Sequence, residues 1–141
     1  MDEMDTPARA RGAGEPTTLS DLHVRVLDSM TEGVSISDEH GIFLYTNPAE
    51  DRIFGYGPGE LTGKHVSVQT AYSKAESDRR IAAVIAQLNS RGAWTGERFN
   101  RRSDGTVFYT FARITALEFQ GRRYFVCVQE DITTSKEAEQ E

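Results

Sequence analysis

Residues 94–111, WTGERFNRRSDGTVFYTF, decide how the whole chain is interpreted. The stretch combines the only tryptophan of the chain with three arginines and several further aromatic residues. Such a mixture is typical of platforms that bind single-stranded nucleic acids. It equally fits two β-strands, because Asp104-Gly105 is a strong turn signal between two runs of β-forming residues. Only the rest of the chain can separate these two interpretations.

The charge of the chain argues against a nucleic-acid partner. Its 141 residues include 22 acidic and 16 basic side chains, for a net charge of −6. An acidic domain repels a phosphate backbone unless its cations are segregated on one face. The paired arginines are scattered and have acids close by: Arg79-Arg80, Arg101-Arg102 and Arg122-Arg123. We therefore expect no nucleic-acid binding.

Length and composition indicate one cytoplasmic domain. The chain has no apolar run of membrane-spanning length and no apolar N-terminal signal segment, so we expect no membrane insertion. Cys127 is the only cysteine, which excludes a disulfide framework and a thiolate metal cluster. We predict a reducing, cytoplasmic environment and no metal site.

The N-terminal region divides into a disordered lead-in and a helix. Residues 1–17 are rich in Ala, Arg, Gly, Pro and acids and show no periodicity. Thr18 and Asp21 then form a capping signal at the start of an amphipathic helix over 18–31. Its apolar stripe includes Leu19, Leu22 and Val26. We expect these side chains to cover the sheet or a second protomer.

The order of the remaining elements predicts an α+β domain with an antiparallel sheet. A hairpin over VSISDEHGIFLYTN is followed by a short helix that Asn47-Pro48 opens and that runs through Phe54. A longer helix follows over 74–90. Three strands then succeed one another over 94–102, 106–117 and 122–131, and a capping box of Thr134 and Glu137 begins a last helix.

The last two strands are apolar on both faces, so the sheet needs cover on both sides. In residues 122–128, Tyr124, Val126 and Val128 alternate with Phe125 and Cys127. The helices within 47–90 can cover one face. The N-terminal helix or a second copy of the chain is expected to cover the other, which predicts a homodimer.

Over residues 23–135 the sequence resembles the PAS domain. The resemblance rests on the ordered set of an asparagine-led helix, FGYxxxELxGK, WxGExxNRRxDG and a final DIT. It implies a PAS core over 32–133, with a five-stranded antiparallel sheet, helices on one face and the N-terminal helix on the other. It also implies that Asp131, Ile132 and Thr133 lead into a signalling helix that starts in 134–141.

The resemblance also bears on what the pocket holds. The light-sensing LOV subgroup needs a cysteine where Val66 stands, and haem-binding members use a histidine on the helix that here reads SKAESDRRIAAVIAQLNS. We therefore expect neither an FMN adduct nor haem. Non-covalent FAD stays open, with Trp94, Gly96 and Asn100 as the residues that would bind it. The alternative is an empty pocket, with Trp94 as core filler and Glu97 paired with an arginine.

Two functions follow from the resemblance. One is a sensory PAS domain that detects a small ligand or redox state and passes it through the C-terminal helix to an effector, such as a histidine kinase in cis or trans. The other is a ligand-free PAS module that dimerises and couples partner domains. No kinase, cyclase or DNA-reading segment is recognisable, so the effector is expected elsewhere. An enzyme is not expected, because no catalytic triad, phosphate-binding loop or paired carboxylates stand at usable spacing.

Overall fold

The computed structural model describes residues 18–139 and contains four α-helices and five strands in this part of the chain. The helices are α1 (Leu19–Ser29), α2 (Pro48–Phe54), α3 (Lys74–Arg91) and α4 (Thr133–Glu139). The strands are β1 (Gly33–Asp38), β2 (Phe43–Thr46), β3 (Ala93–Arg101), β4 (Val107–Phe119) and β5 (Arg122–Asp131). A short 3-10 helix, Val66–Gln69, was not predicted.

The five strands form one antiparallel sheet in the order β2-β1-β5-β4-β3. The predicted α+β class with a five-stranded antiparallel sheet is therefore confirmed. Two tight turns build the β3-β4-β5 meander. Gly105 has φ 92° in the first turn and Gly121 has φ 76° in the second, a backbone region that glycine adopts without strain.

The inner face of the sheet carries the core. On β3, Gly96 pairs with Ala112 and Asn100 pairs with Phe108, so the even-numbered residues of this strand point inward. The fully buried side chains of Phe43, Phe54, Leu61 and Phe108 pack between the sheet and the segment that follows α2. The rings of Phe54 and Phe108 meet edge to face, 5.1 Å between centroids.

Local signals set the ends of α2 and α3, and the predicted opening of α2 by Asn47-Pro48 is confirmed. Asn47 caps α2, since its Oδ1 accepts hydrogen bonds from the backbone N–H groups of Glu50 and Val34. Its Nδ2 donates to the carbonyls of Leu27 and Glu32, which ties α1 to α2 and β1. Ser73 caps α3, and Gly92 ends it with φ 82°.

Helix α1 begins with the predicted capping box of Thr18 and Asp21. None of its residues is buried; Leu19, Leu22 and Val26 are 67%, 49% and 52% exposed. Their role in covering a sheet or a partner therefore stays a prediction. The expected lead-in over residues 1–17 lies outside the described residues.

Helix α4 starts at Thr133, one residue earlier than the predicted capping box of Thr134 and Glu137. The reason is Asp131, whose Oδ1 accepts a hydrogen bond from the Thr133 N–H at 2.9 Å. The helix is described as far as Glu139, two residues short of the predicted end of this segment at 141. Within residues 18–139, no helix has the length and apolar character needed to cross a membrane.

Candidate functional site

A cavity of about 210 Å³ lies between the inner face of the sheet and α3. Helix α3 contributes an apolar stripe to its wall, formed by Ile81, Val84, Ile85 and Leu88. The sheet contributes Trp94 and Arg98 from β3, Ile114 from β4 and Cys127 from β5. The cavity therefore has one aliphatic side and one side that carries aromatic and polar groups.

Helix α3 packs loosely, which is why the cavity exists. Of its 18 residues only Ser77 and Leu88 are buried, and Ile85 is 37% exposed although it faces the cavity. An amphipathic helix normally buries its apolar stripe against the core. Here much of that stripe faces open space instead of side chains of the sheet.

Trp94 lies in the cavity wall, as a binding role requires. Its ring extends over Gly96, where an added Cβ would stand 2.7 Å from Trp94 Cζ2. Gly96 thus makes room for the indole and is not itself part of the wall. Trp94 is half-buried, in keeping with a wall position rather than with a filled core.

Asn100, the third residue predicted to bind a cofactor, lies deeper and does not line the cavity. Its Nδ2 donates to Thr110 Oγ1 at 2.8 Å, and its Oδ1 has no partner among the described residues. Glu97 pairs with Lys136 of α4 at 2.9 Å, and not with the arginine expected from the sequence. The structure therefore brings Trp94 and Gly96 together and separates Asn100 from them.

A buried polar network, which the sequence did not predict, lies under the cavity. Glu50 is completely buried, and its carboxylate accepts hydrogen bonds from Gln69 Nε2 at 2.7 Å and Gln129 Nε2 at 3.0 Å. Gln129 Oε1 in turn accepts from Thr110 Oγ1 at 2.8 Å. Burial raises the pKa of Glu50, and the two amide donors oppose this effect only in part.

This network runs from the cavity into the sheet. Gln69 lines the cavity, and Thr110 is the residue to which Asn100 donates. One signal in the sequence was available: the Asn47-Pro48 helix start places Glu50 in the first turn of a helix facing the sheet. The signal is weak, because a glutamate in the first turn usually just favours the helix dipole.

The cavity also carries charged and titratable groups. Burial raises the pKa of the Cys127 thiol to about 12, with the nearby Arg98 guanidinium acting in the opposite direction. Cys127 therefore stays a neutral thiol at ordinary pH. His40 and His65 also line the cavity, as does Val66. The described residues contain no cluster of three or more His, Cys, Asp or Glu side chains suited to a metal.

The predicted output segment is fastened to β3 and β4. Asp131 forms an ion pair with Arg102 at 3.0 Å. Ile132 N–H donates to the Tyr109 carbonyl, and Tyr109 N–H donates to Thr133 Oγ1, both at 3.0 Å. Lys136 pairs with Glu97, a residue of the cavity-lining strand β3. Helix α4 is thus attached to the strand that carries Trp94 and Arg98.

Comparisons with known proteins agree with this architecture. The sequence model of the PAS domain family matches residues 31–134. The nitrogen fixation regulatory protein of Klebsiella oxytoca is 27% identical over 122 residues, which are 84% of this chain and 24% of that protein. The chain therefore spans about a quarter of the length of this relative.

Solved structures share the fold at low sequence identity. A PAS domain from Colwellia psychrerythraea superposes with a TM-score of 0.76 at 17% identity, covering 83% of this chain and 99% of that one. The PAS domain of a two-component sensor histidine kinase superposes with a TM-score of 0.69 at 17% identity, covering 79% and 95%.

Proposed function

Since this chain belongs to the PAS domain family, we propose that it is the sensory module of a signalling protein. In this proposal a small ligand or a redox state in the cavity is detected and passed through α4 to an effector. The named relatives, a nitrogen fixation regulatory protein and a sensor histidine kinase, support an effector of the regulatory kind, such as a histidine kinase in cis or trans.

The cavity beneath α3 is the observation that carries the proposal. Protein interiors contain few voids larger than a water molecule. Leaving this partly open and mostly apolar cavity of 210 Å³ to water has a free-energy cost, because its apolar lining then stays hydrated. A ligand that fills this space and covers the apolar stripe of α3 offsets that cost.

The size of the cavity favours a small ligand. Pockets for drug-sized molecules commonly measure about 300–1,000 Å³, so 210 Å³ encloses less than a complete dinucleotide. Non-covalent FAD is retained as a second occupant, with its ring against Trp94 and the remainder outside. The hydrogen bond expected from Asn100 is not part of this proposal, because Asn100 lies behind the cavity wall.

The route from cavity to output runs along β3. Trp94 and Arg98 line the cavity, while Glu97 between them binds Lys136 of α4. A ligand that moves this strand changes the contact between Glu97 and Lys136. An edge strand suits this role, since β3 has a strand partner on only one side.

The test is the mass and absorption spectrum of the protein purified without denaturation. We expect native mass spectrometry to show an added mass that denaturation releases, or a flavin spectrum if the occupant is FAD. Val84→Trp, which fills the cavity from α3, should lose the added mass, whereas the exposed Ala83→Trp on the same helix should keep it. Identical native and denatured masses, with no visible absorption and no uptake of added flavin, would count decisively against a ligand.

Exposed apolar residues favour a second function, a PAS module that dimerises and couples partner domains. Besides the stripe of α1, the outer face of β4 exposes Leu117 and Phe119, 49% and 58% accessible. We propose a homodimer that buries these residues. In the absence of a cavity ligand, dimerisation alone would be the task of the domain.

A further inference from the structure

Arg98 stands out among the residues of the cavity wall. It lies on the inner face of β3, between Gly96 and Asn100, and is half-buried. Burial raises the pKa of Cys127 and of Glu50, and the Arg98 guanidinium lies close enough to both groups to oppose that rise. The cation is therefore directed into the space between sheet and α3, and it is partly removed from water.

Arg98 has no carboxylate partner within residues 18–139. The other two half-buried arginines do have one: Arg102 pairs with Asp131, and Arg123 pairs with Glu118. The oxygens of Glu50, the nearest buried carboxyl, are occupied by the amides of Gln69 and Gln129. A cation withdrawn from water without an anion is costly, so this position favours binding of an anion.

The two carboxylates at the rim of the cavity do not neutralise Arg98. Glu97 is paired with Lys136 at 2.9 Å, and Glu39 lies 3.7 Å from the imidazole of His40. Arg80, a second cation of the wall, stacks over the Tyr72 ring at 4.1 Å and binds Glu76. The Arg98 guanidinium is engaged with the neutral Cys127 thiol, and no carboxylate within residues 18–139 pairs with it, so it is the cation of the wall that an anionic ligand would meet.

The rest of the cavity wall indicates the chemistry of the part of the ligand that does not contact Arg98. The indole of Trp94 forms one side, and Ile81 and Val84 of α3 form the opposite side. An engineered apolar cavity of about 150 Å³ holds one benzene molecule. The 210 Å³ available here leave about 60 Å³ more, the space of about two water molecules at roughly 30 Å³ each. This accommodates one aromatic ring with a small substituent.

We propose that the cavity binds a small aromatic carboxylate, with its carboxylate on the Arg98 guanidinium and its ring between Trp94 and the apolar stripe of α3. The planar guanidinium suits a carboxylate because it donates two parallel hydrogen bonds. This inference rests on the proposed sensory function and specifies the chemical class of its ligand.

The test compares benzoate with benzamide, two probes of nearly equal shape that differ in charge. Binding is measured by calorimetry and by the emission of Trp94, the only tryptophan. We expect benzoate to bind the unaltered protein at least tenfold more tightly than benzamide. Arg98→Gln should remove this preference and keep benzamide binding, while Arg98→Lys should retain part of it. Arg101→Gln, an exposed residue of the same strand, serves as the control and should change neither affinity.

Each other outcome overturns the inference in an identifiable way. Equal affinities for the two probes, or an Arg98→Gln variant that still prefers benzoate, exclude recognition of the carboxylate by Arg98. If neither probe binds while native mass spectrometry shows a neutral ligand, the sensory function stands and the carboxylate class is wrong. If neither probe binds and no ligand is found, both proposals fail. Circular dichroism and melting of each variant establish that it is folded.

Discussion

Glu50 is the residue on which the polar core depends. Its carboxyl group is fully buried beside β1 and β5, and amide donors from Gln69 and Gln129 replace the water it loses. Desolvation raises the pKa of Glu50 above its ordinary value of 4.5. For an acid with a raised folded-state pKa, stability is greatest below the unfolded-state pKa and declines as the pH rises through the folded-state pKa.

Glu50→Gln removes this titration while keeping the shape of the side chain. We expect the unaltered protein to lose more stability than the variant when the pH is raised from 5 to 8, because only Glu50 must give up a proton in the folded state. Urea unfolding at the two pH values measures the change. The exposed Glu130→Gln is the control and should follow the unaltered protein. If the free energy of unfolding depended on pH equally in the unaltered protein and in Glu50→Gln, the Glu50 carboxyl would not be the source of that pH dependence.

At the residue scale the sequence predicted the site only in part. Trp94 and Gly96 were assigned to the pocket through the family resemblance; Trp94 lies in the cavity wall, and Gly96 makes room for its ring. Asn100 was assigned to the pocket, yet it lies behind the wall, because which strand residues reach a cavity depends on tertiary geometry. Arg98 and Glu50 were missed, since their neighbours come from strands and helices far away in the chain.

At the scale of elements, local sequence signals predicted helix caps and turns better than they predicted the residues of the site. The predicted caps at Thr18 and Asn47 and the turn at Gly105 act through contacts within a few residues, so they can be predicted without knowledge of the fold. Helix α4 starts one residue before the predicted capping box, where the Asp131 carboxylate accepts a hydrogen bond from the Thr133 N–H. The contact of Asp131 with Arg102 spans 29 residues and depends on the fold. The loose packing of α3 could not be predicted from its regular amphipathic pattern.

The attachment of α4 can be weakened by one substitution. Asp131→Ala removes the ion pair with Arg102 and the hydrogen bond to Thr133, partly exposed contacts that together contribute about 1 kcal/mol. Because proteolysis follows local opening, we expect trypsin to cleave after Lys136 several-fold faster than in the unaltered protein.

The matched control for this helix is Asp78→Ala. It removes an ion pair of similar length but greater exposure, with Lys74 on α3, and does not touch α4. Its cleavage after Lys136 should equal that of the unaltered protein. If trypsin cleaved the Asp131→Ala variant after Lys136 no faster than it cleaves the unaltered protein, Asp131 would not hold α4 in place.

At the scale of the whole molecule, the exposed stripe of α1 predicts self-association. We expect light scattering at tens of micromolar to give the mass of a dimer. Leu22→Glu combined with Val26→Glu should give a monomer without loss of fold, because both residues are exposed in the single chain. Val68→Glu, an exposed apolar residue outside α1, is the control and should stay dimeric. If light scattering gave the mass of a monomer for the unaltered protein, the proposed homodimer would be wrong.

We propose that occupancy of the cavity changes the conformation or mobility of α4. Amide hydrogen exchange measures such a change directly. Exchange is compared between the protein with its cavity occupied and the same protein after the ligand has been removed by unfolding and refolding. We expect occupancy to slow exchange in α3, which then packs on the ligand, and to change the exchange of residues 133–139 through β3. Slower exchange in α3 with no change in α4 would contradict signal transmission, and unchanged exchange in both would contradict the sensory function itself.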